Sequence, residues 1–214
     1  MTGGASAARR RKSSVELRGH AAGVPIPRTL AHGAGGNHAA WFQQIPAFAR
    51  HRRVIAWDQR GFGRSSARGG ATSPERAVRD LAAVLAAAGA AGPVDLVGQS
   101  MGGWAVLGFA LAEPARVRRL VLADPAESTP PSFARSGPPS GAADSAGTRR
   151  CPVLLVVGER NALFPPALLR TCAALLPDAR LVVIPRSGHS PYFEEPEAWN
   201  RAVAEFLGIA LEAP

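Results

Sequence analysis

Apolar positions along this chain fall into two patterns. Short, nearly continuous apolar runs occupy residues 54–57, 94–97, 120–123, 153–157 and 181–184. Their length and richness in Val, Ile and Leu predict strands covered on both faces. Between them the apolar spacing changes to that of a helix. The clearest case is 74–88, where Val78, Leu81, Val84, Leu85 and Ala88 form one stripe, Ser73 is placed to cap the start, Pro74 fits the first turn and Gly89 ends the segment. Helices are also predicted from just after Ser100 to Leu111, over 166–176 and over 196–207. Strands alternating with helices in this way predict an α/β fold, with a doubly wound, mostly parallel sheet and helices on both faces.

Three stretches lack either pattern. Residues 1–14 are small, polar and basic and read as a disordered tail. Residues 15–30 are weakly patterned, and Pro25 and Pro27 argue against a central strand there. Residues 125–150 are rich in Pro, Ser, Gly and Ala and read as a loop. The remainder, 15–214, is expected to be one domain, since 214 residues with 46% hydrophobic positions suffice for one sizeable core.

Charge and cysteine content narrow the function classes. The net charge of +9 is almost wholly arginine, with Lys12 the only lysine, and it is densest at Arg9-Arg10-Arg11-Lys12. No aromatic residues interleave with these charges, so they read as a solvated tail and not as a nucleic-acid surface. Cys151 and Cys172 form no CxxC pair or cluster with histidine, so both are assigned to the core and no metal site is expected. No apolar run reaches membrane-spanning length and no leader pattern follows the arginines, so a cytoplasmic protein with no membrane partner is expected.

The chemistry enters at Gly98-Gln99-Ser100-Met101-Gly102-Gly103, which joins the strand at 94–97 to a predicted helix. Glycines two residues either side of Ser100 permit a sharp strand-to-helix turn that presents Oγ as a nucleophile. The same turn leaves the Met101 N–H at the positive end of the helix, able to receive a developing oxyanion.

Three more segments accompany it: His32-Gly33-Ala34-Gly35-Gly36-Asn37; Asp58-Gln59-Arg60-Gly61-Phe62-Gly63-Arg64-Ser65; and Gly188-His189-Ser190-Pro191-Tyr192-Phe193-Glu194-Glu195-Pro196. Together, and in this order, they resemble the α/β-hydrolase fold family over residues 30–207. The resemblance implies that Ser100 is the nucleophile and His189 its base, with an oxyanion hole made by the N–H groups of Met101 and Ala34. It implies architectural roles for His32 and for the turn 58–65. His20, His38 and His51 match no motif and receive no role.

The chain departs from the family pattern at the third triad member. Where relatives carry an aspartate followed by proline, this sequence has Asn161 in Val157-Gly158-Glu159-Arg160-Asn161-Ala162-Leu163-Phe164-Pro165. Asp124, after the strand at 120–123, is the candidate for a relocated acid, its carboxylate expected to approach His189; Glu159 is a weaker one. The lid that many relatives insert is largely missing, its place taken by the loop 125–150. The opening hairpin of the family also leaves little trace. The expectation is a serine hydrolase of carboxylesterase or thioesterase type, acting on small acyl substrates without a cofactor. Acyl transfer and carbon–carbon bond hydrolysis remain open, as does an impaired protein retained for binding or without function.

Overall fold

The computed structural model describes residues 15–18, 26–50, 52–67, 70–125, 151–176 and 178–211. The tail 1–14, most of the loop 125–150, His20 and His51 therefore lie outside the described residues. Seven strands form one sheet in the order β1-β3-β2-β4-β5-β6-β7. They are β1 Val15–Arg18, β2 Arg28–Ala31, β3 Val54–Trp57, β4 Val94–Gln99, β5 Val117–Ala123, β6 Val153–Gly158 and β7 Ala179–Ile184. Only β1 runs antiparallel, against β3; the other five pairings are parallel.

Side-chain direction alternates along each buried strand and divides the core into two layers. Ile55, Trp57, Leu96, Leu120, Leu122, Leu155 and Val157 face one layer, which is closed by helices α2 (Pro74–Ala87), α3 (Gly102–Ala112) and α4 (Pro166–Ala174). Val54, Ala56, Val97, Val121, Leu154 and Val156 face the other, closed by α1 (Gln44–Ala49) and α6 (Pro196–Leu207), with α5 (Pro191–Glu194) contributing Tyr192. This is the doubly wound arrangement expected from the alternation of strands and helices. Cys172 is buried in the first layer and Cys151 packs against it.

Helix α2 follows its sequence signals closely. Ser73 accepts the Arg76 N–H, Pro74 occupies the first turn, and Gly89 takes φ +66° just beyond the end. The stripe is shifted slightly: Ala77, Leu81, Val84 and Leu85 are buried, while Val78 is only partly so.

The start of the chain requires a correction. The prolines at 25 and 27 do not exclude a central strand, because β2 begins at Arg28 and lies between β3 and β4. Pro27 lacks only the N–H; its carbonyl still accepts the Asp95 N–H at 3.0 Å and extends the ladder by one bond. Arg28 and Thr29 hide the strand from a search for apolar runs. Arg28 is fully buried and its guanidinium lies 3.8 Å from the buried Asp95, which Arg118 also grips through two hydrogen bonds of 2.8 and 2.5 Å. Burial pulls the Arg28 pKa down to about 10, against the opposing pull of Asp95.

Every parallel strand ends at the same edge of the sheet, so the loops after β2, β4, β5, β6 and β7 meet there. Close backbone packing sets their positions. A Cβ on Gly98 would lie 2.5 Å from Val106 Cγ2 and 2.7 Å from the Gly102 carbonyl oxygen. A Cβ on Gly102 would run into the carbonyl of Ala31. Gly102→Ala is therefore expected to lower stability by about 1–3 kcal/mol, whereas Gly92→Ala, where a Cβ meets nothing within 4 Å, should stay within about 0.5 kcal/mol of wild type. Urea denaturation of the two variants checks the contrast.

Candidate active site

Ser100 sits between β4 and α3 with φ +49°, a left-handed conformation that a non-glycine residue adopts at a cost. Its N–H donates to the Ala123 carbonyl at 2.9 Å, and its own carbonyl accepts the Gly103 N–H at 2.8 Å. The turn is thus tied to β5 on one side and to the first turn of α3 on the other. The hydroxyl is left facing the loop edge. Among the described residues no hydrogen bond of the turn uses the Met101 N–H, as expected for a helix start.

The loop after β2 lies against this turn. A Cβ on Gly33 would clash with Gln99 and come within 3.2 Å of Ser100 Cβ, so the backbone passes directly beside the serine, and exposed Ala34 follows. His32 holds the loop. Its Nδ1 lies 2.7 Å from the Gly33 carbonyl, its Nε2 accepts the Gln59 N–H at 3.0 Å, and the Gln59 amide donates to the His32 carbonyl. Both ring nitrogens are occupied, and burial lowers the His32 pKa. Asp58 is similarly engaged: it accepts the His38 N–H at 2.7 Å and the Arg64 N–H at 2.8 Å, and contacts His38 Nδ1 at 2.7 Å. His38, which the sequence left without a role, thus joins the loop after β2 to the turn after β3.

His189 lies in the loop after β7 with Nε2 3.1 Å from Ser100 Oγ. Three groups fix that loop. The Gln99 amide donates to the His189 carbonyl at 3.1 Å. The Glu194 carboxylate accepts the N–H groups on either side of His189, from Gly188 at 2.7 Å and from Ser190 at 2.9 Å. The Phe164 ring packs on the imidazole with centroids 5.5 Å apart. Burial lowers the His189 pKa, with the nearby Glu194 charge opposing, which favours the neutral imidazole. None of these three anchors was picked out from the sequence. The only available signal was the position of Gln99 and Glu194 inside the two motifs.

Behind His189 stands Asn161. Its Oδ1 accepts the backbone N–H groups of Leu163 at 3.0 Å and Phe164 at 3.1 Å. Its Nδ2 is 3.2 Å from His189 Nδ1 and donates to Asp124 Oδ1 at 2.5 Å. Asp124 is fully buried at the end of β5 with φ +45°. Its Oδ1 also accepts the Gly158 N–H at 3.2 Å, while its Oδ2 is buried without a hydrogen-bond partner.

This geometry changes the expectation for Asp124. The carboxylate does not reach the imidazole, because the Asn161 amide fills the space between them. Gly158 helps to set this spacing: a Cβ there would strike the backbone carbonyls of Ser187 and Gly188, so β6 and the histidine loop pass in contact. Burial pushes the Asp124 pKa up to about 7, partly offset by the hydrogen bonds from Asn161 and Gly158 and reinforced by Glu194. Glu159 turns elsewhere and accepts the Arg186 N–H at 3.0 Å. Among the described residues no group of three or more His, Cys, Asp or Glu side chains is arranged to hold a metal ion. No helix there is long and apolar enough to cross a membrane.

Comparison with known proteins agrees with this architecture. The profile of the alpha/beta hydrolase fold matches residues 30–150, and that of TAP-like proteins matches 131–210. The chain belongs to the alpha/beta-hydrolase fold family. It is 43% identical over 112 residues to the 2-hydroxy-6-oxo-2,4-heptadienoate hydrolase of Pseudomonas putida, which is 50% of this chain and 40% of the relative. Over 106 residues it is 39% identical to the 2-hydroxymuconate semialdehyde hydrolase of Pseudomonas sp. strain CF600, which is 48% of this chain and 38% of that one. The chain thus matches about two fifths of the length of these curated relatives, which are hydrolases. Among solved structures it resembles a thermophilic esterase from Thermogutta terrifontis with TM-score 0.76 and 26% identity, covering 92% of this chain and 93% of the esterase.

Two predictions follow from the geometry. Glu194→Ala releases both N–H groups beside His189 and is expected to lower kcat on small esters by about tenfold or more with little change in KM, since base geometry matters more in the transition state than in binding. Steady-state kinetics checks it. The second concerns pH. The Asp124 pKa is raised from 3.8 to about 7 in the fold, so the native state binds more protons than the unfolded chain between about pH 4 and 7. The stabilising share of Asp124 is present at low pH and is lost as pH rises through 7. Urea denaturation should show wild type losing stability relative to Asp124→Asn from pH 4 to pH 7; a constant difference contradicts the assignment.

Proposed function

We propose that this chain is a serine hydrolase that cleaves small, uncharged ester or thioester substrates through an acyl-enzyme on Ser100. The 3.1 Å approach of His189 Nε2 to Ser100 Oγ, at a strained turn that presents the hydroxyl, is the observation that carries this reading. In the first step Oγ attacks the acyl carbon while its proton passes to Nε2 of the His189 tautomer that carries its own proton on Nδ1. The carbonyl oxygen gains negative charge and is received by the N–H groups of Met101 and Ala34. Collapse breaks the bond to the alkoxide or thiolate, which takes the proton from His189. Water then attacks the acyl-enzyme with His189 again accepting a proton, and the acid leaves with Ser100 regenerated. Asp124 contacts the Asn161 amide and does not touch the imidazole.

A second reading is favoured by the curated relatives, both named as hydrolases of unsaturated oxo compounds: hydrolysis of a carbon–carbon bond beside a carbonyl in a dienoate substrate. It uses the same serine and oxyanion hole. Loss of the dienoate absorbance against release of p-nitrophenol from p-nitrophenyl acetate separates the two.

Labelling with a fluorophosphonate tests the common core of both readings. The adduct is expected on Ser100 and is expected to disappear in Ser100→Ala and His189→Ala. Folded wild type that takes no label at Ser100 overturns the proposal and leaves a hydrolase-fold protein with a binding role.

A further inference from the structure

The geometry points to Asn161 as a positioning residue that holds His189 in the tautomer with its proton on Nε2, so that the resting site is restrained. This inference rests on the reading of Ser100 and His189 as nucleophile and base. The orientation of the amide follows from its neighbours. At one end two backbone N–H groups, from Leu163 and Phe164, require an acceptor; at the other, Asp124 Oδ1 at 2.5 Å already accepts the Gly158 N–H and takes a second donor. Rotating the amide by half a turn would set NH2 against both N–H groups and oxygen against a carboxylate oxygen. Nδ2 therefore faces Asp124 and His189.

One Nδ2 hydrogen goes to Asp124, and the other points along the 3.2 Å separation to His189 Nδ1. A neutral imidazole has one N–H and one acceptor nitrogen. Facing a donor, Nδ1 is the acceptor, so the proton resides on Nε2 and is directed at Ser100 Oγ. In that tautomer Nε2 has no lone pair with which to take the serine proton. The imidazolium that forms during attack is opposed as well, because its Nδ1–H meets the Asn161 NH2. Asn161 thus acts against both the starting tautomer and the charged product of the base. Asp124 reinforces the lock by fixing the amide. In a protease triad the corresponding change from carboxylate to amide lowers turnover about ten-thousandfold through the wrong tautomer.

Asn161→Asp reverses the polarity at this point. One carboxylate oxygen keeps the two backbone N–H bonds, and the other accepts the His189 Nδ1–H. Two carboxyl groups at this separation share one proton, and buried Asp124 is placed to keep it and donate it to its new neighbour.

The test is long-range proton–nitrogen NMR on histidine-labelled protein, wild type and Asn161→Asp, beside the fluorophosphonate labelling rate of each. The expected result is a bare Nδ1 and a protonated Nε2 in wild type, the reverse in Asn161→Asp, and labelling of the variant faster by about a hundredfold or more. A protonated Nδ1 in wild type overturns the proposal, with no variant needed. A reversed tautomer with an unchanged, measurable labelling rate overturns the restraint. If the tautomers are as stated and neither protein labels at Ser100, the lock stands and the hydrolase reading falls.

Discussion

The left-handed turn at Ser100 is the constraint on which the rest of the site depends. A strand that runs into a helix through one strained residue needs its neighbours to be almost without side chains, and Gly98, Gly102 and Gly33 meet that need where β4, α3 and the loop after β2 come into contact. The strain is balanced by tethers on both sides, the Ser100 N–H to Ala123 and its carbonyl to Gly103. The hydroxyl and the helix-start N–H of Met101 are thereby brought to one edge of the sheet, beside the loop that carries Ala34. What this turn leaves unsettled is the state of the base.

The base is organised by a different set of forces. His189 is held by hydrogen bonds to the backbone around it, from Gln99 and to Glu194, and by the flat face of Phe164. Its electronic state is set by Asn161, which is itself fixed by Leu163, Phe164 and Asp124. Good placement and poor activation coexist here. The ring is in position to meet Ser100, while the amide behind it favours the wrong nitrogen for the proton. Burial of Asp124, with one oxygen unpartnered, leaves a titratable group one residue away from the imidazole.

Much of the fold could be read directly from the sequence because the apolar runs are strands, four of them buried on both faces and the fifth, 181–184, a partly buried edge strand. Helices α2 and α6 carried their own boundaries in Ser73, Pro74, Gly89 and Pro196. Strand β2 could not be read this way: its first two residues, Arg28 and Thr29, are polar, and Arg28 is tolerated in the core by Asp95 on the neighbouring strand, a pairing visible only once β2 and β4 are adjacent. The approach of His189 to Ser100 was legible through their motifs. The relation of Asp124 to His189 was not, since it depends on whether a side chain stands between the ends of β5 and β7. Asn161 occupies that place because the turn after β6 binds its oxygen with two N–H groups and aims its nitrogen inward.

The central claim is that Ser100 forms a covalent acyl intermediate on a site whose geometry is complete apart from the state of its base. Acid quench of wild-type protein turning over p-nitrophenyl acetate, followed by peptide mass analysis, tests it most directly. The account predicts an acetyl group on the peptide carrying Ser100, absent in His189→Ala. Sustained turnover that depends on His189 but leaves no acyl group on Ser100, either in wild type or in Asn161→Asp, would contradict it.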